Sequence, residues 1–315
     1  MQRRPVVIGT RGSALALWQA EHVAGYLRAR YQDRQCVIKP IRTRGDVTRE
    51  VALAEIGARG IFVKEIEAAL LAGEVDLGVH SLKDLPSTVP VGLTLAAVSP
   101  REDPLDALIT RHRCGLSELP PGARLGTSSP RRGAQLLARR PDCVIEGIRG
   151  NIDTRVRKAL DGSYDGIVLA VAGLRRLGLE DHISEYIPLS VMLPAPGQGV
   201  IAVEARADDA EMLALTAGID DIPTHLAARA ERAFVRALGG GCTTPLGAYA
   251  AVHEDTIRLQ GVVASPDGAV LLREKSLGSA ADPEAVGAAL ARRLWEAGGK
   301  QMLEAIGDWE GQASE

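Results

Sequence analysis

The chain has few aromatic residues, with two Phe, three Trp and five Tyr among 315 residues. Its cores must therefore be built from Leu, Val, Ile and Ala, and few side chains can stack on nucleobases. Together with a net charge of −3, this scarcity argues against a nucleic-acid partner. No apolar segment long enough for a signal peptide or a membrane span follows Met1–Pro5. We therefore expect a cytoplasmic protein without a membrane partner.

Metal and disulfide signatures are also missing. The four cysteines lie far apart and form no C-x-x-C pair, and the six histidines form no H-E-x-x-H pattern. These absences argue against a disulfide framework and against a zinc site, so we expect no bound metal.

Length and pattern predict an α/β architecture. A chain of 315 residues exceeds the size at which a single core stops growing. Apolar strand-like runs alternate with helical patterns through most of the chain, whereas three strand-like runs and one helix close it. We predict domain 1 at residues 1–99 and 200–217, domain 2 at 105–193, and a small α+β domain 3 at 222–315.

Positive charge is concentrated in the middle of the chain. Residues 111–176 hold thirteen Arg or Lys and six Asp or Glu, a local charge of +7, so the remainder carries −10. This asymmetry suggests an anionic ligand, although a solvated basic face is the alternative. Gly9–Ser13 and Gly126–Pro130 each follow an apolar strand and open a helix. Backbone N–H groups and hydroxyls at such helix starts suit a carboxylate or a phosphate.

Arginines occupy the predicted junctions between strands and helices. The set is Arg11, Arg131, Arg132, Arg149, Arg155 and Arg176. A guanidinium binds carboxylates bidentately and keeps its charge, so the cluster suits a polycarboxylate. Lys83 and Asp84 follow the predicted strand Val75–Val79, at a strand end where open α/β sheets bind ligands. Asp84 either stabilises a cation or moves a proton there, or only ends a turn.

Cys242 differs from the other cysteines in its setting. It follows Gly239, Gly240 and Gly241, and three glycines give a loop that can expose a thiol. The position suits covalent attachment or a nucleophile.

Six blocks in this order resemble the porphobilinogen deaminase (hydroxymethylbilane synthase) family. They lie at 9–19 (GTRGSALALWQ), 79–86 (VHSLKDLP), 126–132 (GTSSPRR), 149–155 (RGNIDTR), 194–199 (PAPGQG) and 231–247, which contains the cysteine loop. The resemblance implies two type II periplasmic-binding-protein-like α/β domains plus a small C-terminal α+β domain. It also implies a transferase of haem and tetrapyrrole biosynthesis, expected here as a monomer. Such an enzyme joins four porphobilinogen molecules, with loss of ammonia, on a covalent dipyrromethane cofactor and releases hydroxymethylbilane.

The resemblance further assigns roles to residues. Asp84 is implied as the catalytic residue and Cys242 as the thioether attachment point. The implied cofactor-binding residues are Lys83, Ser13, Thr127, Ser129, Arg131, Arg132 and Asp84, and the implied substrate-binding residues are Arg11, Arg149, Arg155, Arg176, Ser81 and Phe62. We predict that Arg42–Gly60 forms a lid that shields intermediates from water. One departure is Gly239, where many members have Glu, which predicts a more flexible cysteine loop.

Two rival functions remain at this stage. A non-enzymatic, two-lobed carboxylate-binding protein explains the predicted fold and the arginines, but not the cysteine loop. A thiol-dependent acyl transferase using Cys242 needs a histidine partner, and the sequence places none of the six histidines for that role.

Overall fold

Two five-stranded sheets and one three-stranded sheet form this structure, a computed structural model that describes residues 4–42, 63–241 and 244–304. The chain divides into two compact units. Unit 1 comprises Met1–Glu102 and Val200–His225, and unit 2 comprises Asp103–Gly199 and Leu226–Glu315.

The elements follow in chain order. The strands are β1 (Val6–Arg11), β2 (Cys36–Ile41), β3 (Leu77–Ser81), β4 (Leu93–Val98), β5 (Asp106–Thr110), β6 (Arg124–Gly126), β7 (Val144–Glu146), β8 (Gly166–Ala170), β9 (Glu185–Ile187), β10 (Ile201–Arg206), β11 (Leu246–His253), β12 (Thr256–Ala264) and β13 (Leu271–Ser279). The helices are α1 (Ala14–Arg30), α2 (Lys64–Leu71), α3 (Pro130–Arg139), α4 (Ile152–Leu160), α5 (Val171–Arg176), α6 (Ala210–Thr216), α7 (Ile222–Ala237), α8 (Pro283–Leu294) and α9 (Lys300–Glu304), with a short 3₁₀ turn at Leu82–Asp84.

The sheet of unit 1 has the order β2-β1-β3-β10-β4. β1 runs parallel to β2 and β3, whereas β10 is antiparallel to β3 and β4. The side chains of α1 and α6 cover one face of this sheet, and those of α2 cover the other. Because both faces are buried, the central strands are apolar along most of their length.

The first sheet of unit 2 repeats this arrangement. Its order is β7-β6-β8-β5-β9, with β6 parallel to β7 and β8 and with β5 antiparallel to β8 and β9. β6 and α3 therefore occupy the topological position that β1 and α1 occupy in unit 1. The similar segments at 9–13 and 126–130 are equivalent by position in the fold as well as by sequence.

The three-stranded sheet of unit 2 is an antiparallel meander, β11-β12-β13. Phe234 of α7 and Leu290 of α8 are fully buried against it. Burial of a large apolar side chain stabilises the fold by about 1.5–3 kcal/mol, so each of these two residues contributes to holding the helices on the sheet.

The predicted fold class is confirmed: two α/β sheets are followed by a small sheet with helices. The three-domain division with its boundaries stays a prediction. β3 begins two residues later than the predicted strand and extends to Ser81, and β4, β9 and α6 were not predicted. Within the described ranges, no helix is long and apolar enough to cross a membrane.

Candidate active site

The carboxyl ends of β1 and β3 bring the predicted residues of unit 1 to one edge of its sheet. Arg11 is the last residue of β1, and Ser13 is the N-cap of α1, accepting a hydrogen bond from the Ala16 N–H at 3.3 Å. Ser81 is the last residue of β3. Because β1 and β3 are adjacent and parallel, these residues lie at the same edge of the sheet, the edge where open α/β sheets bind ligands.

Lys83 and Asp84 lie in the 3₁₀ turn that directly follows β3. The turn is anchored by Leu82, which is buried and whose N–H donates to the Val200 carbonyl at 3.0 Å. Asp84 is exposed and Lys83 is half-buried. A fixed backbone thus carries an accessible carboxylate beside an ammonium group.

Gln19 is a residue of this edge that sequence reasoning did not assign. It is buried on α1, and its Nε2 lies 2.8 Å from the Ser81 hydroxyl. The contact fixes the end of β3 against α1. The signal was present, because a buried glutamine one and a half turns into an apolar helix needs a polar partner.

In unit 2, Thr127 and Ser129 lie between β6 and the start of α3. Ser129 is the N-cap and accepts from the Arg132 N–H at 3.4 Å, while the Ser129 N–H donates to the Thr127 hydroxyl at 3.2 Å. Proline at the first helical position leaves no unused N–H there. The first turn of α3 thus combines hydroxyls with the positive end of a helix.

Arg131 and Arg132 point into the protein rather than toward solvent. Arg131 Nη1 lies 2.7 Å from Asp106 Oδ2, and Arg132 Nη2 lies 2.6 Å from Asp106 Oδ1. All three side chains are buried. Burial alone would raise the pKa of Asp106, but the two guanidinium charges outweigh it and hold that pKa well below its usual range. Two cations and one anion leave a residual charge of +1.

Gln198 also binds this cluster. Its Nε2 lies 3.0 Å from Asp106 Oδ1 and 2.8 Å from the Pro104 carbonyl. Neither Asp106 nor Gln198 was predicted as a functional residue. An aspartate as the first residue of a fully buried strand is a readable signal, because a buried carboxylate needs cationic partners.

The remaining arginines follow other strands of the same sheet. Arg149 is exposed in the segment after β7, and Arg155 on α4 donates from Nε to the Gly150 carbonyl at 2.8 Å. Arg176 is the last residue of α5, which follows β8, and its Nη2 lies 2.6 Å from the Gly199 carbonyl. Since β6, β7 and β8 are parallel, these arginines follow the same sheet edge as Thr127 and Ser129.

The cysteine loop begins at a capped helix. Gly239 has φ of +63°, and the N–H groups of Gly239 and Gly240 donate to the Arg236 and Val235 carbonyls. This pattern is a Schellman cap, in which a left-handed glycine ends the helix. Beyond it, the Gly241 N–H donates to the Thr244 hydroxyl at 3.0 Å.

Glu231 connects the elements on either side of this loop. Its buried carboxylate accepts from the Ala250 N–H of β11 at 2.7 Å and from the Gly197 N–H at 2.6 Å. Sequence reasoning included Glu231 in a matching block without giving it a role.

Three predicted features lie outside the described residues. They are Cys242, Phe62 and all of the predicted lid except Arg42. Their assignments stay predictions.

Comparison with known proteins finds matches over nearly the whole chain. The family model "Porphobilinogen deaminase, dipyromethane cofactor binding domain" matches residues 6–214, and "Porphobilinogen deaminase, C-terminal domain" matches residues 225–296. A porphobilinogen deaminase of Desulforudis audaxviator is 52% identical over 304 residues, covering 96% of this chain and 98% of the relative. Those of Geobacillus kaustophilus and Synechococcus elongatus are 49% and 48% identical, each over 96% of this chain and over 98% and 96% of the relative.

Solved structures resemble the chain weakly. The periplasmic aliphatic sulphonate binding protein of Escherichia coli has a TM-score of 0.42 and 14% identity, covering 74% of this chain and 70% of its own. A periplasmic binding protein of Salmonella typhimurium has a TM-score of 0.38 and 12% identity, covering 75% and 94%. We draw no conclusion about this chain from TM-scores this low. The family models and the relatives, in contrast, favour the enzyme over the non-enzymatic binding protein and confirm the predicted dipyrromethane cofactor. The chain belongs to the porphobilinogen deaminase family.

Proposed function

We propose that the chain is a transferase that joins four porphobilinogen molecules head to tail, with loss of ammonia, and releases hydroxymethylbilane. When bound, the dipyrromethane cofactor supplies the free pyrrole carbon onto which the units are added. The observation that carries the residue assignment is the accessible Asp84 on an anchored turn at the carboxyl edge of the unit 1 sheet.

Asp84 is proposed as the catalytic carboxylate. Loss of ammonia from porphobilinogen creates positive charge on the pyrrole, and a preorganised carboxylate stabilises that charge and the pyrrole N–H groups. Lys83, Ser13 and Arg11 at the same edge are suited to the acetate and propionate groups. Ser81, held by Gln19, is proposed to bind substrate beside them.

The donor set of unit 2 fits a polycarboxylate cofactor. Thr127 and Ser129 offer hydroxyls at the first turn of α3, where the helix end favours anions. Arg131 and Arg132 keep a residual charge of +1 after pairing with Asp106, which matches one carboxylate. Each added pyrrole brings two more carboxylates, and we propose that Arg149, Arg155 and Arg176 bind those of the growing chain.

Cys242 is proposed as the covalent anchor. In this role the thiol would hold the cofactor permanently and would not turn over with substrate. A thioether to Cys242 also explains why the enzyme needs no histidine partner for this thiol.

Intact-mass measurement of the purified protein tests the anchor. The expected mass exceeds that of the polypeptide by two pyrrole units, and Cys242→Ser should lack this increment. Cys114→Ser provides a matched control and should retain it. An active enzyme with an unmodified mass would contradict the proposal.

We also propose a monomer located in the cytoplasm. Sedimentation of the holoenzyme tests the first point, with the expected mass being that of one 33.3 kDa chain plus cofactor. Fractionation of the host cell tests the second.

A further inference from the structure

A backbone segment of unit 2, Leu189–Pro194, lies between α3 and the small three-stranded sheet. On the side of α3, Arg131 Nη1 lies 2.7 Å from the Leu193 carbonyl oxygen. On the side of the small sheet, the Ala248 N–H of β11 donates to the Pro194 carbonyl at 3.0 Å. The segment therefore links an arginine proposed to bind the cofactor to the strand that follows the cysteine loop in sequence.

Gln135 of α3 pairs with both backbone groups of Leu193. It is 1% exposed; the Leu193 N–H donates to its Oε1 at 2.8 Å, and its Nε2 donates to the Leu193 carbonyl at 3.1 Å. The same Nε2 lies 3.2 Å from the Arg131 carbonyl. The Leu193 carbonyl thus accepts from Gln135 and Arg131 together, which uses both of its lone pairs. The direction of the Arg131 guanidinium is therefore fixed by a carbonyl that Gln135 holds in place.

Arg273 of β13 completes these contacts from the small sheet. Its Nη1 donates to the Ser190 carbonyl, and its Nη2 lies 3.0 Å from the Leu189 carbonyl and 3.5 Å from Gln135 Oε1. The three acceptors are neutral, so the contact depends on the planar fork of donors and not on pairing with an anion. Nothing in the proposed chemistry uses Gln135 or Arg273, and burial of such polar groups is costly unless they form hydrogen bonds.

Two glycines bring the small sheet into close contact with this region. A Cβ at Gly268, in the turn between β12 and β13, would lie 2.5 Å from the Ala134 carbonyl oxygen of α3. A Cβ at Gly247 of β11 would lie 2.9 Å from the Leu193 carbonyl oxygen. Distances this short leave no room for a side chain at either position. The small sheet therefore packs directly on α3 and on the Leu193 backbone.

The position of β11 relative to α3 matters because we propose two attachments for the cofactor. One is the thioether to Cys242, and β11 begins at Leu246, four residues later in the chain. The other is the pair Arg131 and Arg132 in the first turn of α3. A tethered group gains from its second contact only when the two points are held at a matching separation. A fixed offset between this strand and this helix thus favours cofactor binding.

We propose that Gln135 and Arg273 are positioning residues for the cofactor. Together they form a brace that fixes α3 against the small sheet and aims Arg131 at the cofactor carboxylates. They act through Arg131 and the backbone at 189–193, without contacting the cofactor themselves. The inference rests on the proposed cofactor-binding role of Arg131 and Arg132, and on Cys242 as the anchor.

Thermal unfolding in two backgrounds tests the brace. Gln135→Leu and Arg273→Lys are each made in the holoenzyme and in Cys242→Ser, which is expected to carry no cofactor. If the brace positions the cofactor, Tm should fall by about 2–4 °C more in the holoenzyme than in Cys242→Ser, and we call this difference the excess loss. Intact mass should show that the holoenzyme variants retain the increment of two pyrrole units. A variant that folds but fails to load the cofactor would show the same dependence more strongly.

Arg273→Met and Arg273→Lys separate geometry from charge. Lysine keeps the positive charge but cannot reach both carbonyls as a fork, so the two variants should show the same excess loss. The absence of an excess loss in Arg273→Lys would remove Arg273 from the brace. The exposed residues Gln301 and Arg292 supply the matched controls Gln301→Leu and Arg292→Met, which should show no excess loss.

Arg132→Gln tests the underlying cofactor role separately. It removes the residual charge of +1 beside Asp106 and leaves the described contacts of the brace in place. If the arginine pair binds the cofactor, Arg132→Gln should also show an excess loss, and an equal loss in both backgrounds would contradict that role. An excess loss in Arg132→Gln with none in Gln135→Leu and Arg273→Lys would overturn the brace alone.

Hydrogen exchange gives a further test that leaves the brace unchanged, in case a variant fails to fold. Since linkage is reciprocal, a cofactor that the brace helps to bind must also stabilise the brace. Exchange of the Leu193 N–H, which donates to Gln135, should be about fivefold or more slower in the holoenzyme than in Cys242→Ser. Exchange within α8 should change less. Equal slowing at both places, or none at Leu193, would show that the brace does not serve the cofactor.

Discussion

At the scale of single residues, exposure separates functional from structural carboxylates. Asp84 is exposed on a turn whose neighbours are anchored, whereas Asp106 is buried between two guanidinium groups. Replacing Asp84 should lower turnover without lowering the free energy of unfolding. Replacing Asp106 should chiefly lower the free energy of unfolding.

We predict that Asp84→Ala leaves the folded state intact and lowers turnover by about 100-fold or more, the usual effect of removing a preorganised electrostatic group. The free energy of unfolding should change by less than about 0.5 kcal/mol, because the side chain is exposed. Steady-state kinetics and urea unfolding check both points. Asp208→Ala, also exposed in unit 1, is the control. Substantial activity in Asp84→Ala would show that the catalytic carboxylate is misassigned.

Asp106→Asn should lower the free energy of unfolding by about 3–5 kcal/mol at neutral pH, since it leaves two buried arginines without an anionic partner. The pKa of Asp106 is lower in the folded chain than in the unfolded chain. Its contribution is therefore fully present above the unfolded value of about 3.9 and is lost as pH falls through the folded value.

Urea unfolding from pH 3 to pH 8 measures this dependence. The difference between wild type and Asp106→Asn should be constant above about pH 5 and should narrow only below pH 4. Asp142→Asn removes an exposed carboxylate that also pairs with an arginine, and it should have a far smaller effect because solvent screens that pair. A difference that persists unchanged to pH 3 would contradict the assignment.

At the scale of elements, the sequence predicted most helices and strands because burial patterns are periodic. The helix starts predicted at Gly9–Ser13 and Gly126–Pro130 are those of α1 and α3, and the strand predicted at Val75–Val79 overlaps β3. β4 and β9 were missed because they lie at sheet edges. There, pairing with a strand that is distant in sequence decides whether a segment becomes a strand. The contacts of Asp106 with Arg131, Arg132 and Gln198 were also missed. Each joins residues far apart in sequence, and no local pattern carries that information.

The cap of α7 gives an element-scale prediction. Gly239 lies in the left-handed region with φ of +63°, where a Cβ costs about 1 kcal/mol. Gly239→Ala should lower the free energy of unfolding by about this amount and should leave the cofactor mass unchanged. Thermal unfolding and intact mass check it. Gly239, which stands where many family members have Glu, thus serves to end α7. A higher free energy of unfolding in Gly239→Ala would contradict this role.

At the scale of the whole molecule, each unit has its own buried charge centre. In unit 1, Asp76 accepts from Arg4 Nη2 at 2.7 Å and from the Val7 N–H at 2.9 Å, and it lies 3.5 Å from Arg206 Nη2. The network joins the starts of β1 and β3 to the end of β10.

We therefore predict that Asp76→Ala lowers protection within unit 1 by about 2–3 kcal/mol, the value of hydrogen bonds to a charged group. Amide hydrogen exchange should change in β1, β3 and β10 and should leave β12 unaffected. Asp33→Ala at an exposed position is the control. An equal loss of protection in both units would show that they unfold together.

The strand order of unit 1 also has a consequence for how the chain is made. The sheet of unit 1 has β10 between β3 and β4, yet β10 is translated about 100 residues after β4. At typical rates of about 5–20 residues per second, the ribosome delivers this strand roughly 5–20 seconds after its neighbours. The strands of the first sheet of unit 2 are all synthesised within that interval. The sheet of unit 1 therefore cannot be completed before β10 is made, because β3 and β4 lack the strand between them. All strands of the first sheet of unit 2 are available earlier. The edge of β3 that pairs with β10 therefore has no partner strand on the nascent chain until β10 has been synthesised.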